Sequence, residues 1–185
     1  MVERAAKIIE AWEEEGIEHY VSQCGPFVRI HFPCIDSTQS RGEQLSHMIE
    51  NECILFTADE QTGGRGRNAG SKWVSPPGGN LYCTFAFPFP KRGIHKLPSI
   101  SHVVALSVAL VLEERGVAAQ IKWPNDLLVA GKKICGILCH SYEGPSSSEH
   151  RLFLVGIGIN VSMSEEDCSK VGQPATSLLL ETKSE

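Results

Sequence analysis

Apolar positions along the chain follow two rhythms. Ala5, Ile8, Ile9 and Trp12 recur at helical spacing and Gly16 stops the pattern, which predicts a helix over residues 2–15. The stretch FVRIHF (27–32) reads as a strand. DSTQSRGEQLSHMIE (36–50) opens with Ser37 or Thr38 as a helix cap and continues as an amphipathic helix. CILFTADE (53–60) is a short buried strand. In GNLYCTFAFPFP (79–90) the alternation is strict: Leu81, Cys83, Phe85, Phe87 and Phe89 point one way, and Tyr82, Thr84 and Ala86 the other. Pro98 to Arg115 reads as a mostly apolar helix closed by Gly116. Short strands follow at AAQIKW, DLLVA, KKICGILCHS and RLFLVGIGINV. The last two flank a serine-rich patch (143–150) and predict a hairpin. PATSLLLETKSE (174–185) predicts the first turns of a helix.

Strands outnumber helices and come in groups. That predicts an α+β domain with a mixed or antiparallel sheet and helices packed on one side. Strict strand–helix alternation, GxGxxG and GxxxxGK[ST] are all missing from the sequence, which disfavours a doubly wound nucleotide-binding fold. The length of 185 residues suits one domain, and 42% apolar residues can fill a core.

The net charge of −5 argues against a protein built to coat nucleic acid. Seven cysteines, odd in number and without a CxxC pair, read as free thiols in a reducing compartment. Cys135 and Cys139 would share a strand face, but no histidine stands at ligand spacing and no metal site is expected. The N-terminus carries no apolar signal core, and no segment reaches the length of a membrane span. A cytoplasmic protein without membrane contact is the expectation.

Against this acidic background, QTGGRGRNAGSKW (61–73) is glycine-rich and cationic. Glycines let backbone N–H groups approach a ligand, and Arg65 and Arg67 share a side if the loop is extended. The alternative is a mobile surface loop with solvated arginines. KWPNDLLVAGKKICGIL (122–138) gathers Lys122, Asn125, Asp126 and Lys133 around one hairpin. Asn125 and Asp126 serve either a ligand or simply a turn. In VGIGINVS (155–162), Gly156, Gly158 and Asn160 share a face, leaving a flat gap for a planar ligand or for a closely packed helix. Ser37 and Thr38 either cap their helix or donate to a neutral polar group.

Taken in order, DST, QTGGRGR with its following KW, SPPGGNLY, KWPNDL, GKKICGIL, GIGINV and PATSL resemble the catalytic domain of biotin–protein ligases, also called holocarboxylase synthetases. The match runs from about Asp36 to Leu180. The resemblance implies a class II synthetase-like fold and a two-step reaction. Biotin reacts with MgATP to give biotinyl-5′-adenylate and pyrophosphate. The acyl group then passes to one lysine of a biotin-carrier domain in a biotin-dependent carboxylase.

By the same resemblance, Ser37, Thr38 and Gln39 contact the biotin ring, with Gln61 near it. Gly64, Arg65, Gly66 and Arg67 hold the carboxylate and phosphates. Trp73 packs on adenine, and Asn160 reads it. Lys133 contacts the reacting junction, Asn125 and Asp126 sit beside the phosphates and the incoming lysine, and Gly136 and Gly156 line the biotin slot. Lys133, Arg67 and Asp126 are the residues expected to carry catalysis.

Two departures stand out. After GRGR the chain has NAGSKW, where the bacterial members of the family it resembles have a further Gly-Arg and one residue fewer, so one anionic contact is expected to be either missing or shifted to Lys72. The chain also ends soon after PATSL, so the expectation is one catalytic domain over 1–185, truncated before a C-terminal β-barrel. No N-terminal DNA-binding domain and no repressor function are expected, and a homodimer through an exposed sheet edge is open. The alternatives are a lipoate–protein ligase of the same fold, an inactive fragment, or a non-catalytic binding module.

Overall fold

The computed structural model describes residues 12, 16–46, 49, 52–68, 70–143 and 149–182. Eight strands form one sheet in the order β1-β2-β3-β4-β8-β7-β6-β5. They are β1 (Tyr20–Cys24), β2 (Phe27–Ile35), β3 (Ile54–Gln61), β4 (Leu81–Pro90), β5 (Gln120–Lys122), β6 (Asp126–Val129), β7 (Lys132–Glu143) and β8 (His150–Ile159). Only β2 and β3 run parallel; every other neighbouring pair is antiparallel. The helices are α1 (Thr38–Gln44), α2 (Leu97–Glu113), α3 (Glu165–Ser169) and α4 (Leu178–Thr182), with a 3₁₀ turn at Lys91–Lys96 before α2.

The predicted strands are present, and the expected hairpin is β7–β8. One strand, β1, was not predicted: all five residues of YVSQC are exposed, so it has no apolar face to betray it. The helix expected over 2–15 lies outside the described residues except for Trp12, which is helical and buried. Pro33 is tolerated inside β2 because β1 pairs that strand only as far as His31. Helix α2 closes as expected at Gly116, whose φ is +83°. There, Val117 N donates to Leu112 O at 2.9 Å and Gly116 N to Glu113 O at 2.9 Å.

The mixed-sheet α+β class stands, but the helices do not share one side. Ile30, Phe32, Ile54, Phe56, Ala86 and Leu154 form a core with Trp12 and Leu45, under α1. Ala105, Val108 and Leu112 of α2 pack on the opposite face, against Ile137, Phe153 and Val155. The strict alternation in β4 supplies both layers: its phenylalanines join the α2 core, and Ala86 joins the α1 core. Cys135 and Cys139 do share a face, that of α2.

Candidate active site

The α1 face carries a cleft whose empty space is about 490 Å³, part of it open to solvent. Its floor is a buried polar chain. The cap residue Ser37, at φ −164°, accepts from Ser40 N and starts α1, which sets Thr38 and Gln39 over the sheet. Gln61 Oε1 accepts from Thr38 N at 2.9 Å and from Thr38 Oγ1 at 3.2 Å, and Gln61 Nε2 donates to Ser75 Oγ at 2.8 Å. Thr84 Oγ1 reaches Thr38 Oγ1 at 2.9 Å and Gln39 Oε1 at 3.2 Å. Ser37, Thr38, Gln39, Ser75 and Thr84 are each at most 5% exposed. Gln39 Nε2 is buried without a partner among the described residues, an arrangement that favours a ligand with hydrogen-bonding groups.

The glycine-rich loop is a two-limbed hairpin hung over this floor. Thr62 N and Gly63 N donate to Ile35 O and Asp36 O, fixing its base to the end of β2. Trp73 N donates to Gly64 O at 3.0 Å and Gly66 N to Ser71 O at 2.9 Å, closing one limb on the other. A Cβ on Gly64 would lie 2.3 Å from Trp73 O, and one on Gly66 2.4 Å from Ser71 Oγ. These glycines permit close approach of the limbs rather than slackness. The loop carries Arg65 and Arg67 to the cleft mouth, both exposed.

The flat gap over the β8 glycines is filled by the protein itself. Trp73 lies on Gly136 and Gly158: added Cβ atoms there would sit 2.8 Å and 2.4 Å from its ring. Over Gly156 the neighbour is Gln39, whose Oε1 would be 2.6 Å from a Cβ. Lys133 Nζ stands 5.3 Å from the centre of the Trp73 ring and 2.8 Å from Asp126 Oδ1, both side chains being largely buried.

A β-bulge decides where Lys133 points. Leu127 pairs with Cys135 but Leu128 pairs with Lys133, so Ile134 is an extra residue in β7. Without it, parity would put Lys133 on the α2 face with Cys135 and Ile137. With it, Ile134 enters the α2 core and Lys133 lies beside Gly136 in the cleft. The PATSL segment braces this point: Lys133 N donates to Pro174 O and Thr176 N to Lys133 O, both at 2.9 Å.

Most of the expected residues meet here. Ser37, Thr38, Gln39, Gln61, Arg65, Gly66, Arg67, Trp73, Asn125, Lys133, Gly136 and Gly156 all line the cleft. Gly64 does not; it packs under the Trp73 carbonyl. Asp126 reaches the site through Lys133. Asn160 lies in a smaller adjoining pocket that shares Trp73 and Lys133 and also contains Lys72. Its amide donates to Thr176 O at 2.9 Å and Lys133 O at 3.4 Å. Asn125 also has a structural part, donating from Nδ2 to Ile137 O at 3.1 Å.

Gly158, read from the sequence as part of a flat ligand gap, lines the cleft, and so do Tyr82, Thr84 and Leu138, which were not singled out as site residues. For Tyr82 and Thr84 the signal was their place opposite the phenylalanines of β4, two polar groups on a face that had to be buried. Burial pushes the Tyr82 phenol up to about 12, so it stays an O–H donor to Pro76 O at 2.9 Å. Among the described residues no group of three His, Cys, Asp or Glu is placed to hold a metal ion.

A mixed sheet with a polar-floored slot under a cationic glycine loop defines a small-molecule-binding α+β domain, one suited to a ligand neutral at one end and anionic at the other. The sequence profile of the Biotin/lipoate A/B protein ligase family matches residues 31–160, and the chain belongs to that family. It is 34% identical over 139 residues to the bifunctional ligase/repressor BirA of Bacillus subtilis, covering 75% of this chain and 42% of that protein. To biotin–protein ligase 2 of Arabidopsis thaliana it is 35% identical over 158 residues, covering 80% and 43%. The solved structure of the Aquifex aeolicus biotin protein ligase in complex with biotin and ATP superposes with a TM-score of 0.63 at 35% identity, covering 85% of this chain and 62% of that one. The chain thus spans less than half the length of these two curated relatives.

Proposed function

We propose that this chain is the catalytic domain of an ATP-dependent biotin–protein ligase. The observation that carries the reading is the polarity of the cleft. Its floor offers buried hydrogen-bonding groups from Thr38, Gln39 and Thr84, while its mouth and wall offer Arg65, Arg67 and Lys133. Biotin has that polarity: a cyclic urea at one end and a carboxylate at the other. The dithiolane of lipoate has no N–H or carbonyl, so it would leave the buried Gln39 Nε2 donor unpaired, at a cost of about 1–3 kcal/mol. The family includes ligases for both acids, and the floor favours biotin.

In this reading the floor orients the bicyclic ring and the carboxylate points toward Lys133. A carboxylate oxygen attacks the α-phosphorus of ATP, the bond to the β-phosphate bridging oxygen breaks, and pyrophosphate leaves. Lys133 and Arg67 meet the negative charge that builds on the α-phosphate. Arg65 and the loop N–H groups bring the two anions together. Asp126 holds Lys133 in place until the ligand arrives. Trp73 flanks the adenine, and Asn160 and Lys72 stand in the adjoining pocket. Magnesium enters as MgATP, held chiefly by the phosphates.

The mixed anhydride is then attacked by a lysine amine of a biotin-carrier domain, with AMP leaving. The closed loop keeps water from the anhydride. All seven cysteines are free, which fits a cytoplasmic setting. No described helix is long and apolar enough to cross a membrane.

ATP–pyrophosphate exchange tests the assignment, run with biotin, with lipoate and with neither. Exchange that requires biotin is expected. Exchange driven by lipoate would replace this reading with a lipoate ligase, and none with either acid would refute adenylation by this chain.

A further inference from the structure

Arg65 does not hang free at the cleft mouth. Its Nε donates to Ser40 Oγ at 3.0 Å and its Nη2 to Glu43 Oε2 at 2.5 Å. Ser40 and Glu43 are three apart on α1, so both face the loop side by side. The same short helix therefore gives Thr38 and Gln39 to the cleft floor and Ser40 and Glu43 to the arginine above it. Tyr142 of β7 faces Glu43 as well: burial first, and then the Glu43 charge and hydrogen bond, push its phenol up to about 12.

The pair is too open to matter much for folding. The side chains of Arg65 and Glu43 are 41% and 39% exposed, and such pairs add little to stability. What it does accomplish is geometric. A guanidinium has five N–H donors, and two are used here. The remaining three stay available while the side chain is already ordered.

We propose that Glu43, helped by Ser40, is a positioning residue that holds Arg65 ready for the anionic part of the ligand. An arginine ordered before binding spares the ligand the cost of ordering it. The proposal rests on the ligase reading for the identity of the anion, but not for the contact itself.

The test compares wild type, Glu43→Gln, Ser40→Ala, Arg65→Ala and the Glu43→Gln/Arg65→Ala pair. In biotin-dependent exchange, Glu43→Gln should raise KM for biotin about two- to tenfold, with kcat and melting temperature nearly unchanged. Ser40→Ala should do the same more weakly. On the Arg65→Ala background, Glu43→Gln should add nothing. In parallel, calorimetry with inorganic pyrophosphate reads anion binding without catalysis and should show the same non-additive loss. If wild type shows no exchange but the pyrophosphate pattern holds, the ligase reading fails and the positioning role survives. Unchanged or tighter anion binding in Glu43→Gln would overturn the proposal, the latter because Glu43 would then compete with the ligand. So would an effect that persists in full without Arg65.

Discussion

The indole of Trp73 lies flat on the backbone of Gly158, close enough that a Cβ there would stand 2.4 Å from the ring. The ring atoms Cε2 and Nε1 are the nearest, and Nε1 is buried with no partner among the described residues. Gly158→Ala must push the indole off the sheet. We expect nucleotide KM in pyrophosphate exchange to rise at least about tenfold, because small misplacements at a reacting site are costly. Far-ultraviolet circular dichroism should stay unchanged while tryptophan emission shifts. Wild-type nucleotide affinity together with a shifted emission would show that the indole does not flank the base.

Lys133 and Asp126 form an ion pair in which each side chain is less than 20% exposed. Lys133→Met should lower kcat for exchange by about 10²–10³, in line with losing one fixed group at a developing charge, with little change in nucleotide affinity. Asp126→Asn should leave the lysine charged but less constrained, and the rate should fall less. Normal adenylate formation in Lys133→Met, measured by single-turnover product analysis, would remove the lysine from the chemistry.

Thr84 is fully buried and its hydroxyl touches both Thr38 and Gln39. Thr84→Val keeps the shape and deletes the hydroxyl. The unpaired partners should cost about 1–3 kcal/mol of stability, read by denaturant titration. Biotin affinity should fall with it, since the floor loses its order. A variant as stable as wild type would mean that the polar chain is not coupled through Thr84.

Burial pushes the Cys83 thiol up to about 12 and the Cys139 thiol up to about 11. Both therefore stay protonated and inert at pH 8. Iodoacetamide at that pH should modify exposed Cys24 first and reach Cys83 only after unfolding, as peptide mass mapping would show. The linkage has a definite sign. The folded pKa lies above the unfolded value of about 8.5, so the contribution is complete below that pH and is lost as pH rises toward 12. Urea midpoints should fall over that alkaline window. A flat alkaline profile would contradict the burial of these thiols.

Much of the site was legible along the chain because its parts are local. The cap at Ser37, the paired arginines, the lysine after a turn and the GxG repeat each announce a kind of backbone or charge within a few residues. The alternation in β4 named both faces of the central strand correctly. What local pattern could not convey was occupancy. The glycine gap reads equally as room for a ligand or for a close neighbour, and only the fold shows that Trp73, reached through the loop, covers Gly158 while Gln39 covers Gly156. The two-sided placement of helices was likewise hidden, since a central strand buried on both faces does not say which helix covers which.

The α+β class, every strand except β1 and the local chemistry of each motif follow from periodicity, caps and composition within short windows of sequence. The tertiary structure alone decided how those motifs face one another. A single extra residue, Ile134, turns Lys133 from the core to the cleft, and strand pairing rather than sequence parity sets that turn. Glu43 meets Arg65 across 22 residues of chain for the same reason: their contact exists only where α1 and the loop are both fixed to the sheet.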